Sequence, residues 1–90
     1  MDIQIQAGRD LVNQWVDVSI KGGPGQLIAN VTTVLDGFSI GDDNLYPPEE
    51  SYEKTWNQVG TGAPIQPHEV VVTAVDDKGN RASASKTWQD

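Results

Sequence analysis

Apolar and polar residues alternate along much of the chain with a period of two, which predicts short β-strands. The clearest run spans residues 12–20, where valine and isoleucine occupy most even positions and polar residues or Trp15 occupy the odd ones. Since successive side chains of a strand point to opposite faces, this run predicts one buried and one exposed face. The turn at residues 22–25 ends the strand because proline cannot donate to a sheet ladder.

Six further segments carry the same alternation or a high density of β-branched residues. They span residues 3–5, 26–35, 38–40, 51–59, 68–75 and 81–88. Residues 68–75 are apolar on both faces, so we expect them to form a central strand. Two turns, at Asp36-Gly37 and at residues 76–80, favour tight connections between neighbouring strands.

Two segments are predicted to be loops. Residues 41–50 contain Pro47 and Pro48, which argue against regular pairing, and residues 60–67 are rich in glycine and proline. No segment shows a helical period with capping residues. The sequence therefore predicts a single all-β domain over residues 1–90, an immunoglobulin-like sandwich of about seven antiparallel strands in two sheets.

The composition narrows the classes of function. The chain has no cysteine, which excludes disulfides, thiolate nucleophiles and thiolate metal sites. Its net charge of −7 and its scattered basic residues argue against nucleic-acid binding, which needs clustered lysine and arginine. No apolar run approaches the ~18 residues needed to cross a bilayer, so we expect no membrane insertion.

Most of the excess negative charge lies in one acidic segment, residues 36–53. This segment has no basic residue and contains six carboxylates: Asp36, Asp42, Asp43, Glu49, Glu50 and Glu53. Oxygen ligands of this kind suit calcium, but the spacing of an EF-hand is missing. The alternative interpretation is a solvated acidic loop that protects an edge strand. Both remain open, and the sequence predicts no specific metal-binding or cofactor-binding residue.

The residues available for catalysis are few. His68 is the single histidine of the chain, and it stands at the start of the predicted central strand. No Gly-x-Ser-x-Gly nucleophile elbow is present. The acidic segment could pair two carboxylates for glycoside hydrolysis, but that chemistry needs a cleft, which a loop on a small sandwich does not offer. We therefore predict no catalytic residues and no enzyme activity.

Three tryptophans are candidates either for stacking on sugars or for the core. Trp15 shares its predicted face with Asp17, so we expect partial exposure. Trp56 shares a face with Tyr52 and is expected in the core, where sandwiches of this kind often bury a tryptophan. Trp88 closes the last predicted strand, where it could face a neighbouring domain.

Two stretches resemble bacterial families. Residues 68–80 follow the pattern His-x-Val-x-Val-x-Ala-x-Asp-x-x-Gly-Asn, which looks like the last hairpin of bacterial immunoglobulin-like repeats. Residues 16–56 combine Val-x-Val-x-Ile, a Gly-Pro-Gly turn, Asn-Val before Leu-Asp-Gly, and a strand carrying Trp56. This combination is similar to CARDB, the cell-adhesion-related domain found in bacteria. A fibronectin type III alternative fits Ile65-x-Pro67, although that family places a tyrosine at the position of Val71.

The resemblance implies a non-catalytic module within a longer exported bacterial protein, acting extracellularly or at the cell surface as an adhesion or spacer element. An alternative is a carbohydrate-binding or calcium-binding accessory module. The implied partners are neighbouring domains of the longer chain and a glycan or surface protein. We expect the isolated domain to be a monomer without a cofactor.

Overall fold

Seven β-strands make up the computed structural model, which describes residues 1–9, 14–57 and 67–89. They are β1 Asp2–Arg9, β2 Gln14–Lys21, β3 Ile28–Leu35, β4 Phe38–Glu49, β5 Ser51–Asn57, β6 Pro67–Asp76 and β7 Arg81–Gln89. Val12, most of the predicted loop at residues 60–67 and the fibronectin-like Ile65 lie outside the described residues. Within those residues, no helix is long and apolar enough to span a membrane.

The strands form two antiparallel sheets. One has three strands in the order β1-β2-β5, and the other has four in the order β4-β3-β6-β7. The prediction of an all-β sandwich with seven antiparallel strands in two sheets is therefore confirmed. The strand of residues 68–75 falls within β6, which lies between β3 and β7 and is central, as its two apolar faces predicted.

The core is built from the inward faces of the three central strands. β2, β3 and β6 contribute buried apolar residues: Val16, Val18, Ile20, Ile28, Val31, Leu35, Val70, Val72 and Ala74. The period of two in β2 places its valines and isoleucine inside, as predicted. Partly buried residues of the outer strands pack against this core, including Ile3 and Ile5 of β1.

The prediction of a loop over residues 41–50 is wrong, because β4 continues through them as far as Glu49. β4 is the edge strand of its sheet and pairs only with β3. Residues 45–48 of β4 stand opposite the single residue Ala29, since Asn44 and Glu49 are the flanking paired positions. Both prolines lie in this bulge, where the ladder does not need their missing N–H groups.

A two-residue turn joins β3 to β4. Leu35 pairs with Phe38, and the backbone φ angles are 50° at Asp36 and 85° at Gly37. Two successive positive φ angles are typical of the type I′ turn, whose twist matches that of the flanking strands. The Asp-Gly signal in the sequence therefore predicted this connection correctly.

The two ends of the sandwich carry different parts of the chain. The amino-terminal end holds the start of β1, the β2–β3 turn at residues 22–27 and the β6–β7 turn at residues 77–80. The carboxyl-terminal end holds the Asp36-Gly37 turn, His68 and the end of β7. Asp2 pairs with Lys21 at the first end and Gln89 pairs with Pro67 at the second, so β1 begins and β7 ends at opposite ends of a sandwich with principal extents of 43 × 19 × 18 Å.

Replacing Gly37 by alanine should lower the free energy of unfolding by about 1–2 kcal/mol, because a side chain disfavours the left-handed conformation. Denaturant melts measure the change. Gly23→Ala is the matched control, since a Cβ there would meet only Gln26 Oε1, at 3.4 Å. That variant should stay within about 0.5 kcal/mol of the parent. Equal losses in the two variants would contradict the assigned turn.

Candidate functional site

Asp43, in the middle of the acidic segment, joins the edge of one sheet to the edge of the other. Its Oδ2 accepts hydrogen bonds from Tyr52 Oη at 2.6 Å and from Lys54 Nζ at 3.1 Å. The hydrogen bond from Tyr52, and then that from Lys54, hold the pKa of Asp43 below its usual range. Burial and the same carboxylate raise the pKa of Tyr52.

Trp56 completes this seam between β4 and β5. Its indole Nε1 donates to Ile40 O at 3.2 Å, and Lys54 Nζ lies 5.1 Å from the ring centroid. A Cβ at Gly41 would come within 2.8 Å of Trp56 Cζ2, so the missing side chain of Gly41 makes room for the indole. Trp56 is partly buried against the core, in line with its predicted core role.

His68 is a buried partner of Asp36 at the carboxyl-terminal end. Its Nδ1 donates to Asp36 Oδ2 at 2.7 Å, and Glu69 N donates to Asp36 Oδ1 at 2.8 Å. Burial raises the pKa of Asp36, but the hydrogen bonds from His68 and Glu69 outweigh it and leave the pKa lowered. Because the side chain of His68 is 1% exposed, a substrate has no access to it as a general base.

Asp76 organises the amino-terminal end. This residue is 4% exposed, and its carboxylate accepts hydrogen bonds from the Gln26 and Asn80 side-chain amides, each at 2.9 Å. The backbone N–H groups of Lys78 and Asn80 also donate to it, at 2.9 and 2.8 Å. The bond from Gln26, followed by those from Asn80 and Lys78, lowers the pKa of Asp76 strongly.

Gln26 links the β2–β3 turn to Asp76. Its amide nitrogen donates to Asp76, while its Oε1 accepts the backbone N–H of Gly23 at 3.0 Å. Gly22 N donates to Glu50 O at 2.8 Å. A depression of ≈ 520 Å³ at this end is lined by residues 22–27 and Glu50.

The acidic residues lie on strands and turns, so the prediction of a loop is wrong, although five of the six are exposed and three of the six lie on the edge strand β4. Asp36 and Asp43 accept hydrogen bonds from neighbouring strands, and Asp42 Oδ1 accepts one from Asn30 Nδ2 at 3.0 Å. Within residues 1–9, 14–57 and 67–89, no three His, Asp or Glu side chains are grouped so that they could hold a metal ion.

The three tryptophans occupy three different settings. Trp15 is partly exposed on the outer face of the three-stranded sheet, as its pattern predicted. Trp88 packs against the core, and its ring centroid lies 5.4 Å from that of His68. The buried Nε1 of Trp88 has no hydrogen-bond partner among the described residues. Phe38 and Tyr46, both on β4, are the large apolar residues that the described surface exposes most.

The sequence signalled some of these contacts and not others. An aspartate that opens the pattern Asp-x-Lys-Gly-Asn is typical of a turn in which its carboxylate accepts N–H groups further along, as Asp76 does. The contact between Asp36 and His68 depends on the register of β3 against β6. The residues next to Asp36 and His68 in the sequence do not predict this contact.

A solved structure has the same fold. The chain is similar to the fibronectin(III)-like modules of Clostridium thermocellum CbhA, with 23% sequence identity and a TM-score of 0.54 over 96% of this chain and 92% of that chain. No model of a protein family matches the chain, and no curated protein does. The prediction of an immunoglobulin-like sandwich is thus confirmed as the fold, which the chain shares with those fibronectin(III)-like modules. Membership of CARDB remains a prediction.

Acid should destabilise the protein partly through Asp76. Because folding lowers the pKa of this carboxyl below its ordinary value of 3.8, its stabilising effect is complete above that pH and is lost as the pH falls through the folded pKa. Asp76→Asn should therefore be less stable at neutral pH and lose less stability on acidification below about pH 4. Urea melts between pH 2 and 7 measure the free energy of unfolding of each protein and how it depends on pH.

Asp77→Asn is the control for Asp76→Asn, because it removes the same charge from an exposed neighbour in the same turn. In this control, the free energy of unfolding should fall with acid as steeply as it does in the parent. If the free energy of unfolding of Asp76→Asn fell with acid as steeply as that of the parent, Asp76 would not contribute to the acid transition.

Calcium should leave the unfolding midpoint unchanged, because protein donors already occupy the carboxylates of Asp36, Asp43 and Asp76. Thermal melts with a calcium titration and with a chelator test this. Saturable binding to the folded state at a hundredfold over its dissociation constant would add about 2.7 kcal/mol and would support the calcium alternative.

Proposed function

We propose that this chain is a non-catalytic accessory module of a larger extracellular bacterial protein, in which it acts as a spacer or adhesion element. The observation that carries the proposal is that β1 begins and β7 ends at opposite ends of a sandwich 43 Å long. Copies or neighbouring domains joined in this way extend along a line. The structurally similar modules of CbhA are likewise parts of one protein.

The connections that would face a neighbouring module are tied to the body of the sandwich. Gln26 and Asp76 fix two turns at the amino-terminal end to each other. At the carboxyl-terminal end, Asp36 links the β3–β4 turn to the start of β6 through His68 and Glu69. Such ties favour a stiff module whose ends keep a constant separation, as a spacer requires.

The same contacts support the absence of catalysis. The histidine and the aspartates that acid-base chemistry would use are engaged in structural hydrogen bonds, and His68 is shielded from solvent. A general base must reach the proton that it removes from the substrate. These residues are therefore assigned to holding the fold.

A tandem of two complete copies, joined from Asp90 of the first to Met1 of the second, tests the spacer role. Small-angle X-ray scattering should give a maximum dimension of roughly twice the 43 Å long axis, because each copy extends the chain along its own axis. The single chain is the control and should scatter as a monomer. A tandem no longer than the single chain, with its copies side by side, would overturn the proposal.

A further inference from the structure

The outer face of the three-stranded sheet differs in chemistry from the rest of the surface. Strand register arranges its side chains in four rows across β1, β2 and β5. From the carboxyl-terminal end, the rows are Gly8–Trp15–Asn57, Gln6–Asp17–Thr55, Gln4–Ser19–Glu53 and Asp2–Lys21–Ser51. Rows of one face are two residues apart, so the four together span about 20 Å.

The first row holds an indole laid across the sheet. A Cβ at Gly8 would lie 2.5 Å from Trp15 Cζ2 and 2.8 Å from Cε2, so the six-membered ring of Trp15 rests on the backbone of Gly8. Any larger residue at position 8 would lift the ring away from the sheet. Glycine here therefore keeps the indole low, with part of its surface open to solvent.

The next rows offer hydrogen-bonding groups on the same face as the indole. Thr55 Oγ1 donates to Asp17 Oδ1 at 3.0 Å, which fixes this carboxylate one row from Trp15. Gln6, in the same row, is exposed. Beyond them, a depression of ≈ 190 Å³ is lined by acidic, amide, hydroxyl and amino groups of Asp2, Gln4, Ser19, Lys21 and Glu53.

We propose that this face binds a neutral, extended polysaccharide whose sugar rings carry equatorial hydroxyls. Such a ring presents axial C–H groups on its flat face, which suit the negative face of an indole. Its rim of hydroxyls suits amides and a fixed carboxylate in the adjacent rows. A line of four rows about 20 Å long also matches an extended β-1,4-linked chain better than a coiled α-1,4-linked one.

Charge selects a neutral glycan over an acidic one. The four rows carry Asp2, Asp17 and Glu53 against the single cation Lys21, and the whole chain has a net charge of −7. Polymers of uronic acids or sulfated sugars would be repelled by this surface. Glycan binding would be a function additional to the spacer role, because a spacer needs no ligand.

Isothermal titration with cellohexaose and xylohexaose tests the proposal, with maltohexaose and a tri-galacturonate as comparison probes. The two β-1,4-linked neutral probes should bind saturably, and the other two should bind at least about tenfold more weakly. Trp15→Ala should weaken binding about tenfold, since it removes the stacking surface. Gln6→Ala should weaken it about fivefold through loss of a hydrogen bond.

Ser85→Ala, on the outer face of the other sheet, is the matched control and should bind like the parent. Circular dichroism checks that each variant is folded, and Gln6→Ala keeps the test open if Trp15→Ala does not fold. The proposal is overturned if neither β-1,4-linked probe binds, or if Trp15→Ala and Gln6→Ala bind as the parent does. Either result would leave the scattering test of the spacer role unaffected.

Discussion

The burial of alternate side chains from β2, β3 and β6 is the constraint on which the sandwich depends. Each of these strands has a neighbour on both sides, and each sends valine, isoleucine, leucine or alanine into the space between the sheets. With a period of two, a shift of one residue in register would bring the polar face of a strand inside. This penalty fixes the register, and the register in turn places every side chain of the two outer faces.

Side chains of the edge strands pack against the core, and carboxylates add hydrogen bonds that hold the edges and turns. Asp43 accepts from Tyr52 and Lys54 where β4 meets β5, and Asp76 gathers the two turns at the amino-terminal end. Asp36 serves the opposite end. A charged acceptor bonded by several donors is stronger than a neutral one, so a chain with a modest apolar content can still order its periphery. Three of the thirteen acidic residues thereby have a structural use.

Prediction from the sequence succeeded where local chemistry decides the structure. Alternation in residues 15–20 and the Asp-Gly pair at the β3–β4 turn have local causes, and both were identified correctly. Pro47 and Pro48 misled the assignment of β4, because the cost of a proline depends on whether the strand lies at an edge and whether a bulge surrounds it. Similarly, the contact of Asp36 with His68 joins residues 32 positions apart and follows from strand pairing alone.

The outer faces of the two sheets differ in the side chains that they offer to a ligand. On the four-stranded sheet, Asn30 Nδ2 donates to Asp42 and Asn44, and the hydroxyls of Thr73 and Ser83 are 3.0 Å apart. These short polar side chains already bond one another. The three-stranded sheet instead presents an indole held down on Gly8 and longer amides beside it. Since both faces are fixed by one register, a rigid spacer can carry a binding surface on one side without any change in its fold.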